Sequence, residues 1–216
     1  MNRELIEKRI VREMKNREKK ENKILRAAEK VFSKKGFDGT RMEDIAKECN
    51  IPKPNLYYYF KSKKVIYRKI ISELISDWNK AFDEIAIERD PKEAIDAYIR
   101  AKVQYSKQHP IASKIFGGEI IRGSTIFTKK ENQAIRKITE EKCAIIEGWM
   151  KKGKIDHINP QHLMFMIWAS TQFYADFDHH VKNILNVTRL TGKHYQDAEE
   201  LLTHVILQGC GLTAKK

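Results

Sequence analysis

At 216 residues, with 41% apolar and 33% charged side chains, the chain has material for a substantial buried core and too much apolar content to be disordered throughout. Its longest unbroken apolar run, Leu163 to Ala169, falls well short of the roughly 20 residues a bilayer span needs, and the mixed charges of residues 1–20 do not read as a secretory signal. Cys49, Cys143 and Cys210 are scattered, cannot close a disulfide set and lack paired metal-ligand spacing, which fits a reducing cytoplasm.

The formal net charge of +13 is unevenly spread. Residues 1–70 hold 21 Lys+Arg against 10 Asp+Glu, whereas residues 71–216 hold 21 against 19. A basic surface draws phosphate through counterion release whatever the base sequence, so the first third is the expected nucleic-acid face. The remainder has another task.

Apolar residues recur at three- and four-residue intervals with few Gly or Pro interruptions and no competing strand series, so the chain reads as all-α. Helices are expected near 17–36, 41–48, 52–59, 62–88, 91–108, 111–122, 127–152, 160–184 and 195–212. The segment 1–20 has Leu5, Ile6, Ile10 and Met14 at helical spacing amid charges. It suits either a solvated extension of the first helix or a basic arm that touches DNA.

Thr40 and Glu43 have the spacing of a capping box, which starts a short helix at 41. Cys49-Asn50 then supplies a break, since Asn tolerates left-handed backbone, and the ring-fixed φ of Pro52 suits the first turn of a second helix. Ile45, Ala46, Ile51 and Leu56 are spaced to pack the two together. The result is a helix-turn-helix. Arg41, Lys53, Asn55, Tyr57, Tyr58 and Lys63 are the candidate contacts to double-stranded operator DNA: cations and phenols suit phosphate oxygens, and an amide can read a base edge. Tyr59 and Phe60 are expected to pack the module inward. Ser62 is a plausible N-cap for the next helix, and Asp90-Pro91 for the one after.

Further along, Trp78, Phe82, Phe116, Trp168, Gln172 and Tyr174 share an apolar interior, as core, as a ligand pocket, or both. Trp168 and Gln172 lie four residues apart on one helical face, so an indole and an amide can line one cavity. His179-His180 with Asp176 and Asp178 suggests a metal, but adjacent helical residues diverge by about 100° and do not readily face one ion. No metal and no cofactor is expected. Without a phosphate loop, nucleophile elbow or Cys-x-x-Cys pair, nothing supports an enzyme.

The strings VFSKKGFDGT, then the helix-turn-helix, then YYYFKSKKVIYRKII resemble the TetR family of bacterial regulators. YIRAKVQYSKQHPIASKIF, EKCAIIEGWMKKGKI and INPQHLMFMIWASTQFYADF look like a branch of it concerned with pyrimidine utilisation. The chain departs from the pattern at Pro52 and Pro54, where a small or hydroxylated residue is usual. The resemblance implies a basic extension at 1–20, a DNA-binding domain at 21–65, and a ligand-binding and dimerisation domain at 66–216. It further implies a cytoplasmic homodimeric repressor sensing a small molecule such as uracil or thymine. Trp78, Trp168, Gln172, Phe116 and Tyr174 would hold the effector, and Leu163, Phe165, Met166, Leu201, Val205 and Ile206 would form the dimer seam. Two alternatives are a regulator of efflux or lipid metabolism with a larger apolar effector, and an architectural DNA-binding dimer with none.

Overall fold

The computed structural model describes residues 3–212, with side chains from residue 7 onward. Among them are ten helices and no strand: α1 (Arg3–Gly39), α2 (Met42–Cys49), α3 (Lys53–Tyr59), α4 (Lys63–Phe82), α5 (Pro91–Gln108), α6 (Pro110–Ile121), α7 (Lys129–Lys151), α8 (Pro160–Asp176), α9 (Asp178–Ile184) and α10 (Gly192–Gly209). The chain forms two compact units that divide inside α4, between Glu73 and Leu74, later than the boundary at 65 read from sequence.

In the first unit, α1 continues toward the N-terminus from the expected start at 17, and its outer turns are tied by Arg9–Glu13 and Arg17–Glu21 pairs at 3.0 and 2.8 Å. Of the apolar residues read there, Ile10 and Met14 are exposed, and the side chains of Leu5 and Ile6 lie outside the described residues. The helical run is interrupted at Gly36, whose φ of 69° is open only to a residue without a Cβ penalty. Ile24, Ala28, Phe32, Ile45, Leu56, Ile66 and Tyr67 form the core. Tyr67 wedges between Phe32 and Phe37, each 4.9 Å away centroid to centroid.

In the second unit α8 packs against α5, α6, α7, α9 and α10, and α10 lies against α5. Ile95, Ile99, Ile146, Trp149, Met164 and Ile167 are buried there; each such side chain contributes about 1.5–3 kcal/mol by leaving water. The starts of α4 and α5 are capped as read: Ser62 Oγ accepts from Val65 N at 3.3 Å, and Asp90 Oδ1 from Lys92 and Glu93 N at 3.0 and 3.2 Å.

Beyond α1, three regions depart most from the periodicity. Helix α4 ends at Phe82 rather than 88, because Ile85 turns into the core and its carbonyl accepts from Lys142 Nζ at 3.1 Å. The helix expected over 160–184 breaks at Phe177 (φ −110°, ψ 30°). On either side of the break, Asp176 accepts from Ser113 and Asp178 pairs with Lys114, so both carboxylates are drawn to α6. Helix α10 starts at Gly192 rather than 195, its Thr191 N–H donating to His194 Nδ1 at 2.8 Å. Residues 214–216, which read from the sequence as a frayed end, lie outside the described residues.

Candidate functional site

Two places combine chemistry with access, one in each unit. In the first, α2 and α3 meet through Asn50, whose backbone is left-handed (φ 55°, ψ 52°) as the turn requires. The expected Thr40–Glu43 box does not form. Thr40 is buried and its hydroxyl donates back to Gly36 O at 2.6 Å, while Asp44 Oδ2 accepts the Arg41 N–H at 2.9 Å and Glu43 pairs with Lys53. The start signal is thus shifted by one residue. Pro52 likewise stands before α3, with extended ψ of 142°, and it is Pro54 that enters the first turn.

Arg41, Lys53, Asn55, Tyr57 and Tyr58 are all exposed, and Tyr58 most so among the tyrosines of α3, at 71%. Asn55 and Tyr58 border a groove with Lys20 and Lys23 of α1. The Arg17 guanidinium lies 5.9 Å from the Tyr58 ring, and the Lys53 ammonium 5.9 Å from the Tyr57 ring. The Glu43 carboxylate holds the Lys53 ammonium above its ordinary range, so that cation is retained at any physiological pH. Phe60 is buried and Tyr59 half-buried, the inward role read for them.

Lys63 differs from its reading. Its ammonium donates to Phe37, Asp38 and Thr40 carbonyls at 2.8, 3.1 and 2.9 Å and rests 4.7 Å from the Phe37 ring. With its three protons so used, it caps the end of α1 rather than pointing free toward a phosphate.

The second unit contains a cavity of about 500 Å³. Trp78, Phe116, Trp168 and Gln172 line it together, with Phe82 and Tyr98; Tyr174 does not, bordering a different depression beside α9 and α10. The Trp168 N–H donates to Tyr98 Oη at 2.7 Å, which fixes the indole plane. Phe116 meets Trp78 edge-on at 4.6 Å. Buried Glu119 accepts from Ile126 N at 2.9 Å and Thr125 Oγ1 at 3.2 Å, and so holds the α6–α7 connection that brings Ser124 and Phe127 to the cavity wall.

Among the lining residues that escaped the pocket reading are two charged ones, Lys102 and Asp176. Lys102 was visible as a lysine on the apolar stripe of Ile95, Tyr98, Ile99 and Val103; Asp176 was visible four residues past Gln172 on the Trp168 face. Burial holds the Asp176 carboxyl above its usual range. A Cβ on Gly117 would lie 2.9 Å from Asp176 Oδ2, so glycine there admits the carboxylate. Among the described residues no cluster of three or more His, Cys, Asp or Glu side chains is placed to hold a metal, and Asp178 is paired with Lys114 and Lys182. No described helix is long and apolar enough to cross a membrane.

Of the residues read as a dimer seam, Phe165, Met166, Leu201 and Val205 are exposed. Leu163 and Ile206 are not: at 6% and 2% exposure they belong to the unit's own core, because the inner faces of α8 and α10 pack on α5 and on each other.

A profile of bacterial regulatory proteins of the TetR family matches residues 24–70, and one for the C-terminal region of YcdC-like protein matches residues 71–213. Over 190 residues the chain is 37% identical to the HTH-type transcriptional regulator RutR of Escherichia coli (strain K12), spanning 88% of this chain and 90% of that protein. It is 28% identical over 192 residues to the HTH-type transcriptional repressor NicS of Pseudomonas putida, spanning 86% and 90% respectively. The solved TetR family transcriptional regulator PfmR from Thermus thermophilus shares the fold at a TM-score of 0.67 and 20% identity, covering 86% of this chain and 97% of that one. Regulators of this kind bind operator DNA, dimerise and respond to small-molecule effectors. A basic helix-turn-helix joined to a helical unit with an aromatic cavity, and a match to these relatives along most of its length, make the chain a member of the TetR family of ligand-responsive, DNA-binding transcriptional regulators.

Proposed function

We propose that this regulator senses a pyrimidine such as uracil or thymine and releases its operator when the pyrimidine binds. Arg41, Lys53, Asn55, Tyr57 and Tyr58 face the DNA, and Trp78, Phe116, Trp168 and Gln172 hold the effector. The observation that carries the reading is the convergence of Trp168 and Gln172 on one cavity, with the indole anchored by Tyr98. Among the described residues Gln172 has no hydrogen-bond partner, so its amide is free to offer a donor and an acceptor to a lactam edge while an aromatic face covers the ring. The carboxyl segments that resemble the pyrimidine-utilisation branch support the same ligand. Binding favours a subunit arrangement in which the paired recognition helices no longer match major grooves roughly 34 Å apart.

Calorimetric titration with uracil, on the wild type and on Gln172→Leu, tests this. We expect one pyrimidine per subunit, weakened operator binding, and a loss of about 1–3 kcal/mol of ligand affinity in the variant, since the lactam edge is left unpaired. A second reading, a larger apolar effector, is favoured by the cavity's volume of about 500 Å³, which exceeds what a single six-membered ring fills. Heat from a long-chain ligand and none from any pyrimidine would select it.

A further inference from the structure

We infer that Lys102 is the group in this cavity that grips the effector, donating to an oxygen acceptor on the ligand, either a ring carbonyl or a carboxylate borne on the ring. The inference rests on the pyrimidine reading for the flat ring and goes beyond it in naming the acceptor and its partner. Lys102 is 2% exposed, in a stripe of buried Ile95, Tyr98, Ile99 and Val103, yet it lines the cavity. Its ammonium stands 3.4 Å from the centroid of the Trp78 ring. Among the described residues it has no hydrogen-bond acceptor.

A lysine kept only to hold the fold spends its protons on protein oxygens, as Lys63 does with three carbonyls. Lys102 has a ring face instead, which attracts a cation but does not replace the hydration lost on burial. Asp176 is the one other charged side chain lining the cavity among the described residues, and its Oδ1 is occupied by the Ser113 hydroxyl at 2.8 Å. The other lining residues, which come from α4 to α8 and the α6–α7 connection, are uncharged: Trp78, Asn79, Phe116, Asn132 and Thr139 among them. Burial accordingly lowers Lys102 from the usual 10.5 to about 7, with the Asp176 charge opposing part of that shift.

A ligand oxygen supplies the missing acceptor. It favours the ammonium form, so binding draws a proton onto Lys102 and weakens as pH rises through about 7. A wholly apolar ligand leaves the ammonium unpaired and is selected against.

The test is Lys102→Met in the full chain, which keeps the stem and removes the charge. A merely structural lysine would make this variant less stable. We expect instead an unchanged or raised thermal midpoint, together with a loss of roughly tenfold or more in uracil affinity, the effect of losing a hydrogen bond from a charged donor. In the wild type, uracil heats measured in buffers of different ionisation enthalpy should report proton uptake near neutral pH, a readout that does not require the variant to fold.

Uracil binding equally to wild type and Lys102→Met, or binding without proton uptake, overturns the inference and leaves the pyrimidine reading in place. Orotate binding that is lost in Lys102→Met, with no heat from uracil, upholds Lys102 and replaces a neutral pyrimidine with an acidic one. If neither compound binds the wild type, both fall.

Discussion

Lys63 and Tyr58 stand five residues apart and do different work. Lys63→Ala deletes the donor to three carbonyls at the end of α1, so the first unit should lose on the order of 1–3 kcal/mol, and operator binding should weaken because that unit is destabilised. Tyr58→Phe removes an exposed hydroxyl; its melting midpoint should match the wild type while operator affinity drops. Arg41→Ala removes a charge, so the log–log salt dependence of binding should flatten by about one unit as well. Thermal melts and fluorescence anisotropy at several salt concentrations separate the three. A Tyr58→Phe protein with unaltered affinity would take that residue out of the interface.

At the scale of elements, the turn between α2 and α3 depends on one backbone conformation. Asn50 at φ 55° occupies the left-handed region, where a β-branched side chain is strained by about 1–2 kcal/mol. Asn50→Val should lower the urea midpoint by that amount, and Asn50→Gly should leave it near the wild-type value; a Val variant as stable as wild type would show that the turn is not conformationally demanding. The break between α8 and α9 follows a different logic. Periodicity runs through it, but Asp176 and Asp178 each find a partner on α6, and those contacts turn the chain where no Gly or Pro stands. The same carboxylate at Asp176 then lines the cavity of the second unit, so the geometry that ends α8 also shapes the proposed effector site.

For the whole molecule, dimerisation exposes a distinction among apolar residues of similar spacing. Leu201 and Val205 lie four apart on α10 at 59% and 51% exposure, and with Met166 they leave an apolar surface that is costly in water unless a second subunit covers it. Leu201→Glu should therefore yield a folded monomer by sedimentation with much weaker operator binding, since one helix-turn-helix buries too little DNA for a tight site. Ile206→Glu places a charge inside the subunit's own core, so it should unfold the second unit outright. Intact dimers in Leu201→Glu at micromolar concentration would refute this seam.

The all-helical class, the helix-turn-helix, the basic first third and the caps at Ser62 and Asp90 were legible in the chain because each depends on residues within a turn or two of one another. So was the pairing of Trp168 with Gln172, which helical spacing alone puts on one face. What periodicity does not carry is which side of a helix faces its own subunit. Leu163 and Phe165 are equally apolar neighbours, yet one is core and the other exposed, because α5 and α10 cover only one side of α8. Lys63 and Lys102 make the same point for charge. Lys63 reads as a phosphate contact and Lys102 carries no assignment, but packing brings three carbonyls to the first and leaves the second beside an aromatic face with no acceptor among the described residues, and that separates the lysine that caps a helix from the one we infer to take a ligand oxygen. Local propensity acts along the chain, whereas the partner of a buried polar group arrives from residues far away in sequence, so only the tertiary structure assigns it.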